Sequence, residues 1–358
     1  MGEIWRSLDT GLRPAAQNIA LSRALLEARE AEEIPSTLRF LRFAPSALLA
    51  CRQSPAQEFD LDYCASAGIT VQRRITGGEA ICCDENQLGW ELYLHRRDIG
   101  DADMPAIAKR IGHAAATAVG ALGVDARFRP RHDIEIDGRV ISSGGGAFDN
   151  DALLYQGLLL IDSDAAHMRR ALRLPATPWM DAAPQAARER SVDLRSVLGE
   201  RPDMVRIKQN MTAAFESEFE VEFQEGDLTL TEHARFQRAL AEIDAPDWVN
   251  LVQQPAADAP VCVAAHKVAG GLLHASVIYD RTARRIKQVR FNDDIGISPW
   301  RALADLEAAL RDTPVDRLGF HVRTFFAGRA VAMPSLAPDD FVAVVRRALT
   351  LPIIAQSP

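Results

Sequence analysis

The chain has 358 residues, a formal net charge of −8 and an apolar fraction of 47%. That length suits two domains, and that composition fills an ordinary globular core. The acidic balance excludes a global field for nucleic acid or anionic lipid, and no apolar run approaches the roughly 20 residues of a membrane span.

The opening MGEIWRSLDT lacks the basic-then-apolar pattern of a secretory signal. Five cysteines at irregular spacing argue against a disulfide framework and for a reducing, cytoplasmic compartment. In chain order, residues 18–34 carry apolar positions at helical spacing. STLRFLRFAPSALLACRQ reads as two strands broken at Pro45, GITVQRR and WELYLHR as strands, and MPAIAKRIGHAAATAVGALG as a helix. DIEIDGRVISSGGGAF reads as a hairpin on an Asp-Gly turn, and ALLYQGLLLID as a strand. DMVRIKQNMTAAFESEF and TEHARFQRALAEI read as helices, and RRALR at 169–173 as a solvated helix face. VQQPAADAP at 252–260 is the candidate linker between a domain at 1–251 and a small α+β domain at 261–358. Strands and two helices, PWRALADLEAALRD and DDFVAVVRRALT, fill the latter.

The stretch QRRITGGEAICCDEN, residues 72–86, concentrates unusual chemistry. Cys82 and Cys83 are adjacent in a strand-like run, so they face opposite ways, and no second pair stands at zinc spacing. A thiol nucleophile needs a lowered pKa, from Arg73 or Arg74, and a base such as His95 or His132. Buried packing is the favoured reading of both cysteines. Gly77 and Gly78 let a backbone present N–H groups to an anion, with one of Arg73 and Arg74 as a bidentate donor. A plain hairpin turn with an exposed arginine competes with that reading.

RRITGGEAICCDENQL, then RHDIEI, GRVISSGGGAF and YQGLLLID, in this order, resemble the lipoate–protein ligase A family of the biotin/lipoate ligase superfamily. QNIALSRAL and LLACRQSPAQEFD are similar to its first helix and the strand end that follows it. The C-terminal unit resembles its accessory domain. The resemblance implies an α/β (α+β) fold, with a mixed sheet and flanking helices plus the small α+β unit. It implies activation of lipoate by ATP and magnesium to an acyl-adenylate, then transfer to a carrier lysine. The carrier would be a glycine-cleavage H-like protein or a dehydrogenase E2 lipoyl domain. Arg73, Arg74, Thr76, Gly77, Gly78, Glu79, Ala80 and Asp133 would bind nucleotide or substrate. Gly144, Gly145, Gly146 and Ala147 would wall an acyl tunnel or allow close strand packing. Asp133 would sit near the nucleotide or a transient magnesium, or serve as a strand-start turn residue. No resident metal, nucleic acid or membrane is implied. Arg96, Arg97 and Arg131 are the candidate carrier-docking patch.

The sequence departs from the pattern in three places. Glu79 replaces the third glycine and Cys83 the histidine. Val140 replaces the lysine that, in the family, contacts acyl carbonyl and phosphate, while the neighbouring Arg139 leaves on the other side of a strand. The catalytic group is therefore unassigned. Two alternatives stand beside the ligase. An ATP-independent octanoyl or lipoyl transferase would use a cysteine ahead of the hairpin, where ARFRPRHDIE has none. A non-catalytic relative would bind lipoyl-AMP or carrier without turnover.

Overall fold

A computed structural model describes residues 3–51, 53–78, 80–100, 102–129, 132–163, 170–172, 191–251, 261–269, 271–293, 297, 301–333 and 335–350. The chain divides into two compact units, Met1–Gly146 with Asp151–Leu251, and Ala147–Asn150 with Val252–Pro358. The candidate linker 252–260 lies outside the described residues.

The first unit is built on a mixed sheet. Among the described residues its strands are β1 (Glu3–Arg13), β2 (Thr37–Phe43), β6 (Gln87–His95), β7 (Ala126–Arg129), β8 (Asp133–Ile136), β9 (Arg139–Asp149, whose last three residues fall in the second unit), β10 (Ala152–Leu160) and β11 (Val221–Glu225). Their order is β11-β1-β2-β6-β10-β9-β8-β7. β1 runs parallel to both neighbours, while β6 pairs antiparallel with β2 and β10. A smaller sheet joins β3 (Ser46–Leu49) between β4 (Thr70–Arg73) and β5 (Ile81–Cys83). Helices Ala15–Glu30 and Leu230–Ile243 close one core, where Ala16, Ile19 and Ala20 meet Phe236, Ala239 and Ile243. The helix at Met104–Gly120 starts on Asp103, whose side chain accepts from Ala106 N. Its Gly112 leaves room for Phe128, where a Cβ would stand 2.2 Å from the ring.

Two expected boundaries move. The helix read over 18–34 occupies Ala15–Glu30, because Glu32 turns left-handed at φ 55°. The 169–173 segment is not a solvated face throughout: Ala171 is fully buried, its carbonyl accepts from Asp60 N, and Arg170 lies over the Tyr63 ring.

The second unit carries an antiparallel sheet, β12 (Val261–Val268), β13 (Gly271–Asp280), β14 (Arg285–Asp293) and β15 (Thr313–Pro314). Helices Arg301–Ala309, Leu318–Ala327 and Pro338–Thr350 belong to it. Val277, Phe291, Leu306, Val322 and Phe341 share its core, with Phe291 and Phe341 edge to face at 5.1 Å.

Candidate acyl-activation site

Arg73 ends β4 and Arg74 follows it, and the two go separate ways, as alternation along extended backbone requires. Arg73 is only 1% exposed. Its guanidinium donates to the carbonyls of Ala50, Cys51, Trp248 and Val249 at 2.6–3.1 Å. Those acceptors occupy the fork, so the expectation that Arg73 binds a ligand anion is corrected: it is a clasp between β3's end and the short helix Pro246–Val249. Trp248 returns a bond from Nε1 to Arg73 O. Arg74 instead lies across the Thr-Gly-Gly loop. Its Nη2 donates to Gly77 O at 3.4 Å and stands 3.7 Å from where a Gly78 Cβ would project. Burial pulls its pKa down from the ordinary value, against the opposing effect of the Cys83 and Cys51 thiols.

The loop itself, 74–80, joins β4 to β5. Gly78 sits at φ 97°, a conformation only glycine adopts readily, so its N–H direction depends on that residue. Gly77 is exposed and Ala80 packs against the core around Cys82. Glu79 lies outside the described residues. Thr76 is fastened inward: its Oγ1 donates to Gln156 Oε1 at 3.0 Å, and Gln156 Nε2 donates to Glu91 Oε1 at 2.5 Å. Glu91 is buried and also accepts from Ser22, Arg39 and Tyr93. This network is not foreseen from the sequence. Its one visible signal is a charged residue at Glu91 inside the otherwise apolar WELYL run.

The hairpin β8–β9 turns on Asp137 and Gly138, both at positive φ, which suits the Asp-Gly turn read from sequence. Its register places the candidate residues. Asp133 opposes Ser143 and accepts its hydroxyl at 2.8 Å. Glu135 opposes Val140, and a bulge separates these two pairs. Residues paired across a ladder share a face, so Val140, Glu135, Asp133 and Ser143 lie together. Without the bulge, three residues of spacing would put Val140 and Ser143 on opposite faces. Arg139 opposes Ile136 beside the turn and is exposed.

The three glycines divide by the same alternation. Added Cβ atoms at Gly144 and Gly146 would meet the Tyr155 ring at 3.3 and 2.6 Å, so these two allow close packing of strand on ring. Gly145 faces open space, on the side of Ser143 and Asp133. Ala147 is half-buried. Tyr155 and Gln156, consecutive in β10, point to opposite faces. Gln156 therefore shares the Gly145 face, and through it so does Thr76. Burial, helped by the Asp133 carboxylate, pushes the Tyr155 hydroxyl pKa well up.

The thiols are packing residues. Cys82 joins the core of Ala47, Leu49 and Phe59, and Cys83 that of Ala16, Ile19 and Leu48. Burial pushes the Cys82 thiol up to about 12 and Cys83 further in the same direction. His95 is occupied as a helix cap, accepting from Arg97 N, and His132 is exposed beside Asp133. The docking patch is weaker than expected, since Arg97 pairs with Glu32 and Arg96 with Asp151, while Arg131 lies outside the described residues. Among the described residues no three metal-ligating side chains cluster, and no helix is long and apolar enough to cross a membrane.

The glycine loop is thus fastened through Gln156 to the sheet face that bears Gly145, Asp133 and Val140. The model of the lipoyl protein ligase A/B catalytic domain matches residues 14–216, and the chain belongs to that family. A relative, an octanoyltransferase LipM of Moorella thermoacetica, is 24% identical over 272 residues, 69% of this chain and 98% of its own. Three solved structures share the fold. A bi-partite lipoate protein ligase of Thermoplasma acidophilum, solved in work that includes its E2 lipoyl domain, aligns at TM-score 0.63 with 21% identity, over 71% of this chain and 99% of its own. A lipoate-protein ligase A bound with ATP aligns at 0.60 with 21% identity, over 70% and 98%. LipL1 of P. falciparum, in complex with lipoate, aligns at 0.70 with 15% identity, over 96% and 99%.

Proposed function

We propose that the chain activates a lipoyl-type acid with ATP and transfers the acyl group to a lysine of a lipoyl carrier domain. The observation that carries this is the placement of the Thr76–Gly78 loop, held through Gln156 on the sheet face that also bears Gly145, Asp133 and Val140. Such a loop offers backbone N–H groups where an acyl phosphate develops charge, and Arg74 adds a cation beside it. Asp133 fits a magnesium that arrives on nucleotide phosphates, because such an ion needs only one or two protein carboxylates. The ion would neutralise phosphate charge; the residues themselves bind and orient. The C-terminal unit acts as an accessory domain, and the carrier is an H-like protein or E2 lipoyl domain. Five cysteines held as thiols support a reducing, cytoplasmic setting.

Two of the four lysines are engaged elsewhere, and Lys109 is exposed on the helix Met104–Gly120. Lys208 pairs with Asp9, and Lys287 with Asp312. Positioning and backbone donors would then supply the catalysis. A second reading, octanoyl transfer without ATP, is favoured by the octanoyltransferase relative that matches over nearly its whole length. Its thioester would need a reachable thiol. Cys51 is the described unit-1 cysteine that is not buried, and its N–H donates to Thr76 O at 2.9 Å. Lipoate-dependent release of pyrophosphate from ATP, measured without carrier, tests the first reading. Carrier acylation that needs Cys51 and an octanoyl-carrier donor, but no ATP, replaces it with the second.

A further inference from the structure

Beyond the loop and the hairpin, one polar chain runs through the interior of the first unit. Glu91, on β6, is a carboxylate with four hydrogen-bond donors: Ser22 at 2.8 Å, Arg39 at 2.8 Å, Tyr93, and Gln156 Nε2 at 2.5 Å. Arg39 is itself fully buried and anchored by Asn18, Ser22 and Thr10. An ionised carboxylate accepts only. It therefore fixes the Gln156 amide with its NH2 towards Glu91 and its oxygen towards Thr76. That oxygen in turn fixes the Thr76 hydroxyl as a donor, with its proton turned into the protein.

We propose that Gln156 is a positioning residue for the anion-binding loop, transmitting the polarity of the buried Arg39–Glu91 pair to Thr76. The Thr76 oxygen then meets the open face with lone pairs alone. The loop addresses an acyl phosphate with the N–H groups at 77 and 78, while Thr76 accepts from the substrate or from a cation riding on it. This inference rests on the acyl-activating reading of the same loop. Its test therefore begins with a readout that needs no activity.

The full-length chain, the variants Gln156→Leu, Gln156→Glu, Thr76→Val and Thr76→Ser, and the Gln156→Leu/Thr76→Val double variant are compared by backbone amide exchange at Cys51, whose N–H donates to Thr76 O at 2.9 Å and so reports how firmly the loop is held. Rates are normalised to the intrinsic rate from about pH 5 to about pH 8. Gln156→Leu and Thr76→Val each raise exchange at that amide by about tenfold or more, and the double variant raises it no further. Thr76→Ser keeps the native rate. Gln156→Glu carries the sharpest expectation. Two carboxylates in contact share a proton, and the loss of that last proton is pushed to higher pH. With the proton in place, the introduced carboxyl donates to Glu91 and accepts from Thr76, as the amide does. As pH rises and the proton leaves, the two anions repel and the loop loosens. The normalised rate in Gln156→Glu thus climbs with pH, while the native protein stays flat. Should Gln156→Leu not fold, Gln156→Glu and Thr76→Val decide the matter. A flat profile for Gln156→Glu, or native exchange in Thr76→Val, overturns the relay.

Acylation kinetics then address its use. Thr76→Val and Gln156→Glu at high pH lower kcat more than they raise KM for ATP. Equal effects on both overturn the positioning role. A native chain that acylates nothing, yet shows the expected exchange pattern, refutes the acyl-activating reading and leaves the relay standing.

Discussion

Adjacent arginines take unrelated roles here, and the division can be measured. Arg73 satisfies four backbone carbonyls at once. Arg73→Lys loses the planar fork, and thermal unfolding should show a loss on the order of 3 kcal/mol or more. Arg74→Gln should cost less stability and weaken nucleotide binding, seen by calorimetry. A stable Arg73→Lys protein that no longer binds ATP would return Arg73 to the ligand. Val140 offers a second test. A lysine there stands opposite Glu135 and pairs with it across the ladder. Val140→Lys should therefore leave acylation unchanged or lower, although one preorganised donor is typically worth about a hundredfold. A rise of that size would mark 140 as a vacant catalytic position. Sequence shows that one arginine faces each way, but not which one. That choice depends on Trp248 and Val249, which lie 175 and 176 residues along the chain from Arg73.

At the scale of elements, the hairpin β8–β9 is the best-read part of the molecule. Its turn chemistry and strand pattern are local, and the Asp-Gly turn stands where they place it. The bulge that brings Val140 onto the face of Asp133 is set by pairing and leaves no local trace. β1 is not legible for the same reason. EIWRSLDTGLR does not alternate cleanly, and the strand is held by β2 and β11 from distant parts of the chain. The helix Leu318–Ala327 also goes unread, since LGFHVRTFFA follows a 3-10 turn with no capping side chain. The glycine triplet offers a test of side. Gly146→Ala drives a Cβ to 2.6 Å from Tyr155 and 3.1 Å from Leu154 O, while Gly145→Ala meets nothing within 4 Å. Unfolding should show a cost of about 1–3 kcal/mol for the first and little for the second. The reverse order would mean that the strand faces are exchanged.

For the whole molecule, ordered motifs are enough to reach the family, because each motif marks a segment that the fold must keep in sequence. The buried charge that holds β1 is not legible, since Arg6 and Glu232 meet only in three dimensions. Glu232 is fully buried and bonded to both Arg6 guanidinium ends. Burial raises its pKa, but the bonds from Arg6 and Thr229 outweigh it and hold the carboxyl below its ordinary value of 4.5. A depressed folded pKa gives stability that is complete above the ordinary value and is lost as pH falls through the depressed one. Native stability should therefore decline below about pH 4.5. Glu232→Gln should cost about 3 kcal/mol at neutral pH, where it strands Arg6, and flatten that acid limb. An unchanged limb in denaturant titrations would assign the acid loss to other groups. The central claim, acyl activation and transfer, is tested most directly by intact mass of a purified lipoyl carrier domain incubated with this protein, lipoate, magnesium and ATP. The expected result is one lipoyl adduct on the carrier lysine, dependent on ATP and abolished when that lysine is replaced. An unmodified carrier, with ATP hydrolysis no greater than without lipoate, would contradict it.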